Sequence, residues 1–271
     1  MKSLKQKIIF SSYYCKYFLD DCLNNRNSKD FSIFKCNEVI ILWYYYIRKF
    51  SKNNHIFIFD QNSPIKISHF LKFINEEIDF VKDLNCIDFN KKFHVFSFEE
   101  IINSHSLGAF RFTNLSYKIA HFYNSDFYHI EQDCLINFDI IKETETFDFA
   151  TGQINLKDFC CDTFLLFISS DRLKSLDFLL PFPKFLDRLN FFYKNYVTVG
   201  KSIEKLLLTH IIERSIYCKF CYGKVKSFNG ILPYIHSHMG SINELYDFFQ
   251  KNPIEENTFF TETINKISHY V

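Results

Sequence analysis

Glycine and proline are scarce in this chain, with 6 and 5 among 271 residues. No Gly/Ser/Pro-rich stretch divides it, so no linker marks a domain boundary, and no internal repeat is present. An excess of charge is missing too. Lys and Arg total 32 against 31 Asp and Glu, a net charge of +1. Nothing therefore demands nucleic acid or an anionic membrane as a general partner. An apolar run of the ~18 residues that cross a bilayer is also lacking. The longest block, Val39 to Ile47, stops at Arg48. The opening MKSLKQKIIFSSYY is basic, but its apolar run is too short for a secretory leader. Nine cysteines, an odd count without a leader, suggest reduced thiols and a cytoplasmic protein.

Aromatic residues are plentiful: 35 Phe and 16 Tyr, with a single tryptophan, Trp43. Phe, Ile, Asn, Lys and Tyr are abundant together, which reads first as AT-rich coding bias. The stripes Phe191-Phe192-Tyr193 and Tyr217-Phe220-Tyr222 read as core before they read as sugar-stacking surfaces. An apolar content of 47% supports a sizeable core. The length suits one large α/β domain, or one with a helical extension. Basic residues gather late, at Lys201, Lys205, Lys219, Lys224 and Lys226.

Periodicity along the chain predicts alternating strands and helices. Lys7–Tyr13 reads as a strand and Asn24–Asp30 as a polar loop. Glu38–Phe50 reads as a buried helix, despite the strand propensity of Trp43-Tyr44-Tyr45-Tyr46. Ile56–Phe59 is a strand that stops at the turn Asp60-Gln61-Asn62-Ser63-Pro64. A helix is expected over Ile67–Val81 and a strand over Phe93–Phe98. A helix opens at Gly108, after a Ser104-His105-Ser106 loop, and ends near Tyr123. The strand Phe127–Ile130 follows, with extended chain over Cys134–Ile141 and a strand over Thr163–Ser169. Helices are expected over Leu176–Leu189, Lys201–Glu213 and Ile242–Gln250. This alternation implies an α/β fold with right-handed crossovers and a mostly parallel sheet.

The segment Gly108–Asp133 is the most telling. Arg111 and Asn114 share one helix face, three residues apart. The strand Phe127–Ile130 runs into Glu131-Gln132-Asp133. Two carboxylates one residue apart at the carboxyl end of a buried strand are costly unless a cation or a partner offsets them. Ligands of open α/β sheets bind at that end. Glu131 and Asp133 thus read as a metal-nucleotide site, with a salt-bridged structural pair as the plainer alternative. Asp60 reads as a ligand contact or as a residue capping its own turn. His129, inside an apolar strand, reads as a satisfied buried histidine.

The order of these pieces resembles the nucleotide-diphospho-sugar glycosyltransferases of the GT-A fold. The matching pieces are Ile8-Ile9-Phe10-Ser11, Ile58-Phe59-Asp60-Gln61-Asn62-Ser63, Gly108 through Asn114 to Ala120, and Glu131-Gln132-Asp133. They cover about residues 5–140, roughly half the chain. The resemblance implies a Rossmann-like, mostly parallel sheet flanked by helices. Residues 1–140 would bind the nucleotide sugar. Residues 141–271 would form a helix-rich acceptor side, continuous with the first half in one compact domain. By the same resemblance Glu131 and Asp133 correspond to the Asp-x-Asp motif. Asp133 would bind the metal on the diphosphate, and Glu131 would face ribose or metal. Asp60 would contact base or ribose. Ser11 and Ser12 would touch the nucleotide, and Arg111 and Asn114 would line the donor site. A C-terminal His236 or His238 would supply a third metal ligand. Glu in place of the first Asp lengthens that reach by one methylene. The Gln-x-x-Arg-Trp motif of processive synthases is absent.

The expected activity is transfer of a sugar from a nucleoside-diphosphate sugar to a hydroxyl, with Mn²⁺ or Mg²⁺. The acceptor would be a glycan, a lipid-linked sugar or a protein. Nucleic acid is not an expected partner. A cytoplasmic site is expected, with peripheral contact at the inner membrane face compatible. The base of an inverting reaction would come from Asp162, Asp187, Glu204 or Glu213, among which no spacing selects. A sugar-nucleotide nucleotidyltransferase ranks lower, because Ser11-Ser12-Tyr13-Tyr14-Cys15 holds no glycine. A non-catalytic glycan- or partner-binding domain is the third reading. Cys218-x-x-Cys221 has the spacing of half a zinc site, but His236-x-His238 does not complete the usual one.

Overall fold

The computed structural model describes residues 6–25, 33–98, 105–155, 160–161, 163–176, 225–228, 232–236 and 241–271. The chain divides into two units. One comprises Met1–Ile9, Asn103–His129 and Lys142–Asn229; the other comprises Phe10–Ile102, Ile130–Ile141 and Gly230–Val271.

In the second unit, strands run in the order β1 (Lys7–Tyr13), β2 (His55–Asp60), β4 (Phe93–Ser97), β3 (Ile78–Phe80). β2 is parallel to β4, with Ile58 opposite Val95, and β3 is parallel to β4. Every residue of β2 is buried, as expected of a parallel strand covered on both faces. A separate antiparallel ribbon pairs β6 (Cys134–Ile136) with β12 (Tyr234–His236).

Helix α2 (Asn37–Phe50) is the core of this unit, with nine residues buried, Trp43 and Tyr46 among them. A helix that is apolar nearly all round belongs in an interior. Tyr46 is ringed by Phe248, Phe249 and Phe260, at centroid distances of 5.5, 6.4 and 6.3 Å. Those rings come from α7 (Ile242–Lys251) and α8 (Thr258–Ser268). Arg48 closes the far end of α2. Its Nε and Nη2 donate to both Glu76 oxygens at 2.8 and 2.9 Å, and Nη1 donates to the carbonyls of Ser51 and Asn54. Such a two-pronged pair fixes geometry as well as charge.

In the first unit the order is β11 (Val225–Ser227), β7 (Phe149–Thr151), β10 (Leu165–Ile168), β5 (Asp126–Ile130). β11 is parallel to β7 and β10 is antiparallel to it. Helices α4 (His105–Phe122) and α6 (Ser170–Leu176) pack together here. A two-residue pairing of β8 (Ile154–Asn155) with β9 (Cys160–Cys161) completes the described strands.

The α/β class and mostly parallel strand pairing match the sequence reading, but three expectations are corrected. The helix expected over Ile67–Val81 is α3 (Ile67–Leu71) alone, and Ile78–Phe80 is β3. The polar break Asn75-Glu76-Glu77 interrupts the apolar period, and Glu76 is committed to Arg48. The chain expected to stay extended over Cys134–Ile141 ends its strand at Ile136 and turns into α5 (Ile140–Thr144). There the Asp139 carboxylate accepts from Ile141 N–H at 3.1 Å, an N-terminal capping bond. The Gly108 helix starts earlier, so His105 and Ser106 are helical and not loop. The helix expected over Leu176–Leu189 meets the described residues only at Leu176, and that over Lys201–Glu213 lies outside them. Among the described residues, no helix is long and apolar enough to cross a membrane.

A buried polar chain links β2, β3 and β4 at the start of the strands. His94 Nδ1 lies 3.0 Å from Asp79 Oδ2, His55 Nδ1 lies 3.1 Å from His94 Nε2, and Lys92 Nζ lies 3.3 Å from His55 Nε2. Lys92 can only donate, so His55 Nε2 accepts and its Nδ1 donates onward, which leaves His94 Nδ1–H for Asp79. Both imidazoles are then neutral. Burial, with Lys92 and His94 adding to it, pulls His55 down from 6.5 to about 4. Burial lowers His94 as well, against the opposing pull of Asp79. The folded state thus binds fewer protons than the unfolded chain between these values. Stability should be complete above pH 6.5 and fall as pH drops toward 4. The loss attributable to His55 is on the order of 3 kcal/mol at 1.36 kcal/mol per unit. Thermal unfolding from pH 7.5 to 4 checks this, and His55→Gln should flatten the slope in that window.

Candidate metal centre

β5 leaves the interior into a tight turn. Cys134 N–H donates to Glu131 O at 2.9 Å, closing Glu131-Gln132-Asp133-Cys134. The side chain of Gln132 clasps the main chain of Tyr14. Tyr14 N–H donates to its Oε1 at 2.6 Å, and its Nε2 donates back to Tyr14 O at 2.5 Å. On the other side of that segment, Cys15 N–H donates to Ser63 Oγ at 3.2 Å, while Ser63 Oγ–H donates to Tyr13 O at 3.0 Å. The chain leaving β1 is therefore tied both to the end of β2 and to the turn after β5.

The ribbon supplies the third member. His236 stands opposite Cys134 in the β6–β12 register. That places the imidazole beside the residue preceding Cys134. His236 Nε2 lies 3.6 Å from Glu131 Oε2 and 3.6 Å from Asp133 Oδ1. One donor atom from each of Glu131, Asp133 and His236 falls within 4.8 Å of the others. The side chain of Asp133 is 5% exposed, His236 13% and Glu131 25%. Separations of 3.6 Å are longer than hydrogen bonds. They suit a shared ion: ligand atoms about 2.1 Å from one centre stand roughly 3.0 Å apart at right angles and 4.2 Å when opposite. Two carboxylates and one imidazole could thus hold a divalent cation. His236 is the histidine that the structure brings to the acids; His238 lies outside the described residues.

The remaining expected residues fall in different places. Ser11 is fully buried, with its Oγ 3.4 Å from Ser12 O, and Ser12 is half-buried one residue before the end of β1. Asp60 is buried and serves its own turn: Oδ1 accepts from Ser63 N–H at 3.3 Å. Burial raises its carboxyl above the usual range, while the Ser63 and Asn62 N–H groups pull the other way. Asn62 takes a positive φ of 57°, which fits an Asx turn. Arg111 and Asn114 are half-buried on α4, in the other unit. His129 packs against Phe112 at 4.8 Å and is buried, as its apolar strand implied. Asp162, Asp187, Glu204, Glu213, Cys218 and Cys221 lie outside the described residues. The sequence reading missed Gln132, which counted only as the spacer between two acids. Its partner Tyr14 is 118 residues away, so no local signal marked it.

No family model matches the chain, and no curated protein matches its sequence. Solved structures similar to it include the glycosyltransferase GlyE of Streptococcus pneumoniae TIGR4, 12% identical with a TM-score of 0.44. That match covers 98% of this chain, which spans 64% of the GlyE chain. HddC of Yersinia pseudotuberculosis is also 12% identical, with a TM-score of 0.44, covering 92% of this chain and 99% of its own. A third is the galactosyltransferase LgtC, solved with donor and acceptor sugar analogs, 8% identical with a TM-score of 0.40. It is matched over 76% of this chain and 70% of its own.

Replacing Gln132 with Ala should remove both part-buried bonds to Tyr14, each worth about 0.5–1.5 kcal/mol. A loss of about 1–3 kcal/mol is expected, and any affinity of the candidate centre for a divalent cation should fall at least tenfold because the turn carrying both acids is released. Denaturant unfolding and calorimetric titration of the metal read the two effects separately.

Proposed function

We propose that the chain is a metal-dependent glycosyltransferase of the GT-A kind, transferring a sugar from a nucleoside-diphosphate sugar to a hydroxyl acceptor. The observation that carries this reading is the Glu131–Asp133–His236 cluster at the carboxyl end of β5. In this reading Asp133, the most buried of the three, is the principal ligand. Glu131 and His236 complete the protein's share, and open positions are left for phosphate oxygens. Carboxylates suit Mg²⁺ and Mn²⁺ alike, whereas an imidazole ligand favours the softer Mn²⁺. When bound, the ion acts as a Lewis acid on the departing diphosphate.

The chain's own residues then orient and exclude. Gln132 holds the Tyr13–Cys15 segment beside the acids. Ser12 and Asp60 are proposed to meet the nucleoside from the ends of β1 and β2, and Arg111 and Asn114 to serve the donor. In the reaction the bond between the anomeric carbon and the diphosphate oxygen breaks. A new bond forms from that carbon to the acceptor oxygen, whose proton leaves to a base. Residues 141–271 are proposed to provide the acceptor side. A glycan, a lipid-linked sugar or a protein would be the acceptor, in the cytoplasm or at the inner membrane face.

Thermal unfolding with a panel of nucleoside diphosphates, each with Mn²⁺ or with EDTA, tests the reading. A nucleotide present at 100 times its Kd should add about 2.7 kcal/mol, and only with metal. Asp133→Ala should abolish that metal-linked shift and lower sugar transfer at least a hundredfold while the fold persists. Unchanged turnover in Asp133→Ala would overturn the proposal.

A further inference from the structure

A second chemically active pair lies away from the metal centre. Cys22 sits on α1 (Leu19–Asn24), and Cys36 is the residue that caps the start of α2. Their sulfurs are 2.7 Å apart. That is longer than an S–S bond of about 2.05 Å, yet close enough that bond formation needs only a small approach. Both sides are pinned. Lys16 N–H donates to Lys35 O at 3.2 Å and Asn37 N–H to Tyr17 O at 3.0 Å. Glu38 Oε2 accepts from Leu19 N–H at 2.8 Å, joining the start of α1 to the first turn of α2. Cys15, the third thiol nearby, is turned to Tyr17 O at 3.6 Å.

We propose that Cys22 and Cys36 form a reversible intramolecular disulfide under a peroxide-class oxidant, fastening α1 to the entry of α2. Cys22 is 4% exposed and Cys36 0%, so Cys22 is the sulfur that a small oxidant meets first. Its thiolate attacks hydrogen peroxide and becomes the sulfenic acid, releasing hydroxide. The hydroxide takes the Cys36 proton. The Cys36 sulfur then attacks the sulfenic sulfur, forming the S–S bond and expelling the sulfenic oxygen as hydroxide, which takes up the proton that the Cys22 thiol had released and becomes the second water. In sum two thiols lose two hydrogens, and one peroxide is reduced to two waters. Burial, reinforced by the neighbouring Cys22 thiol, pushes Cys36 well above the usual thiol range. The pair therefore stays reduced until an oxidant reaches Cys22, and a bulky disulfide reagent reacts poorly there.

The test uses the full chain. Brief peroxide treatment is followed by N-ethylmaleimide in denaturant, tryptic digestion without reductant, and mass spectrometry. The expected product is peptide 17–26 (YFLDDCLNNR) joined to peptide 36–48 (CNEVIILWYYYIR), two hydrogens lighter than their sum and separated again by a phosphine reductant. The oxidised protein should melt higher by about 5 °C or more, since the bridge restricts the unfolded chain. Cys86, which is exposed, reports that the oxidant has acted. Recovery of peptides 17–26 and 36–48 as separate maleimide adducts after Cys86 is oxidised would overturn the proposal. So would a Cys22→Ser variant in which Cys36 bridges to another cysteine as readily.

Discussion

The clasp of Gln132 on Tyr14 is the interaction on which the candidate site depends. A turn that follows a buried strand carries main-chain groups and acidic side chains into a region with little water. Each group must find a partner or bear its full desolvation cost. A side-chain amide can accept from an N–H and donate to a C=O of the same residue while staying neutral. Gln132 does so for Tyr14, at 2.6 and 2.5 Å. An ionised acid at this position could accept but not donate, and would add a third negative charge between Glu131 and Asp133.

That neutrality matters for the pair it separates. Asp133 is 4% exposed, and a carboxyl group taken out of water needs a compensating partner. In the proposed centre a divalent ion held by Glu131, Asp133 and His236 would be that partner.

Much of this was legible in the sequence, and the residues show why. β2, β4 and α2 were visible because their apolar patterns are continuous and their ends are marked by polar or turn residues. The acid-x-acid at the end of β5 was visible because its cost is local: two charges, one apolar strand. What failed was local too. In Ile67–Val81 the apolar period persists through Phe70, Phe73 and Ile74. The chain leaves the helix nevertheless, because Glu76 is drawn to Arg48 and Ile78–Phe80 to the edge of β4. Gln132 was beyond reach for the opposite reason: its partner Tyr14 is distant in sequence, and nothing in its neighbours distinguishes it from a spacer. His236 could be named as a candidate, but only the register of β12 against β6 selects it.

That register assigns a role to the last quarter of the chain. β12 reaches the acids where the segment around it is anchored, and among the described residues the anchors are specific. Asn137 N–H donates to Pro233 O at 2.9 Å, holding the entry to β12 against the exit of β6. The Asn137 amide donates to Asn252 Oδ1 at 2.9 Å, and Tyr46 O–H donates to Asn252 O at 2.5 Å. Asn252 in turn donates to Phe248 O within α7. A continuous path of hydrogen bonds thus runs from α2 through the end of α7 to the ribbon that carries His236. Contacts this distant in sequence form late, because loop closure precedes any gain from them. The two acids are placed by their own turn and its clasp, whereas His236 is placed by pairings that reach Tyr46 and Asn252. The proposed third ligand therefore depends on the packing of the C-terminal helices and not on the acidic turn alone.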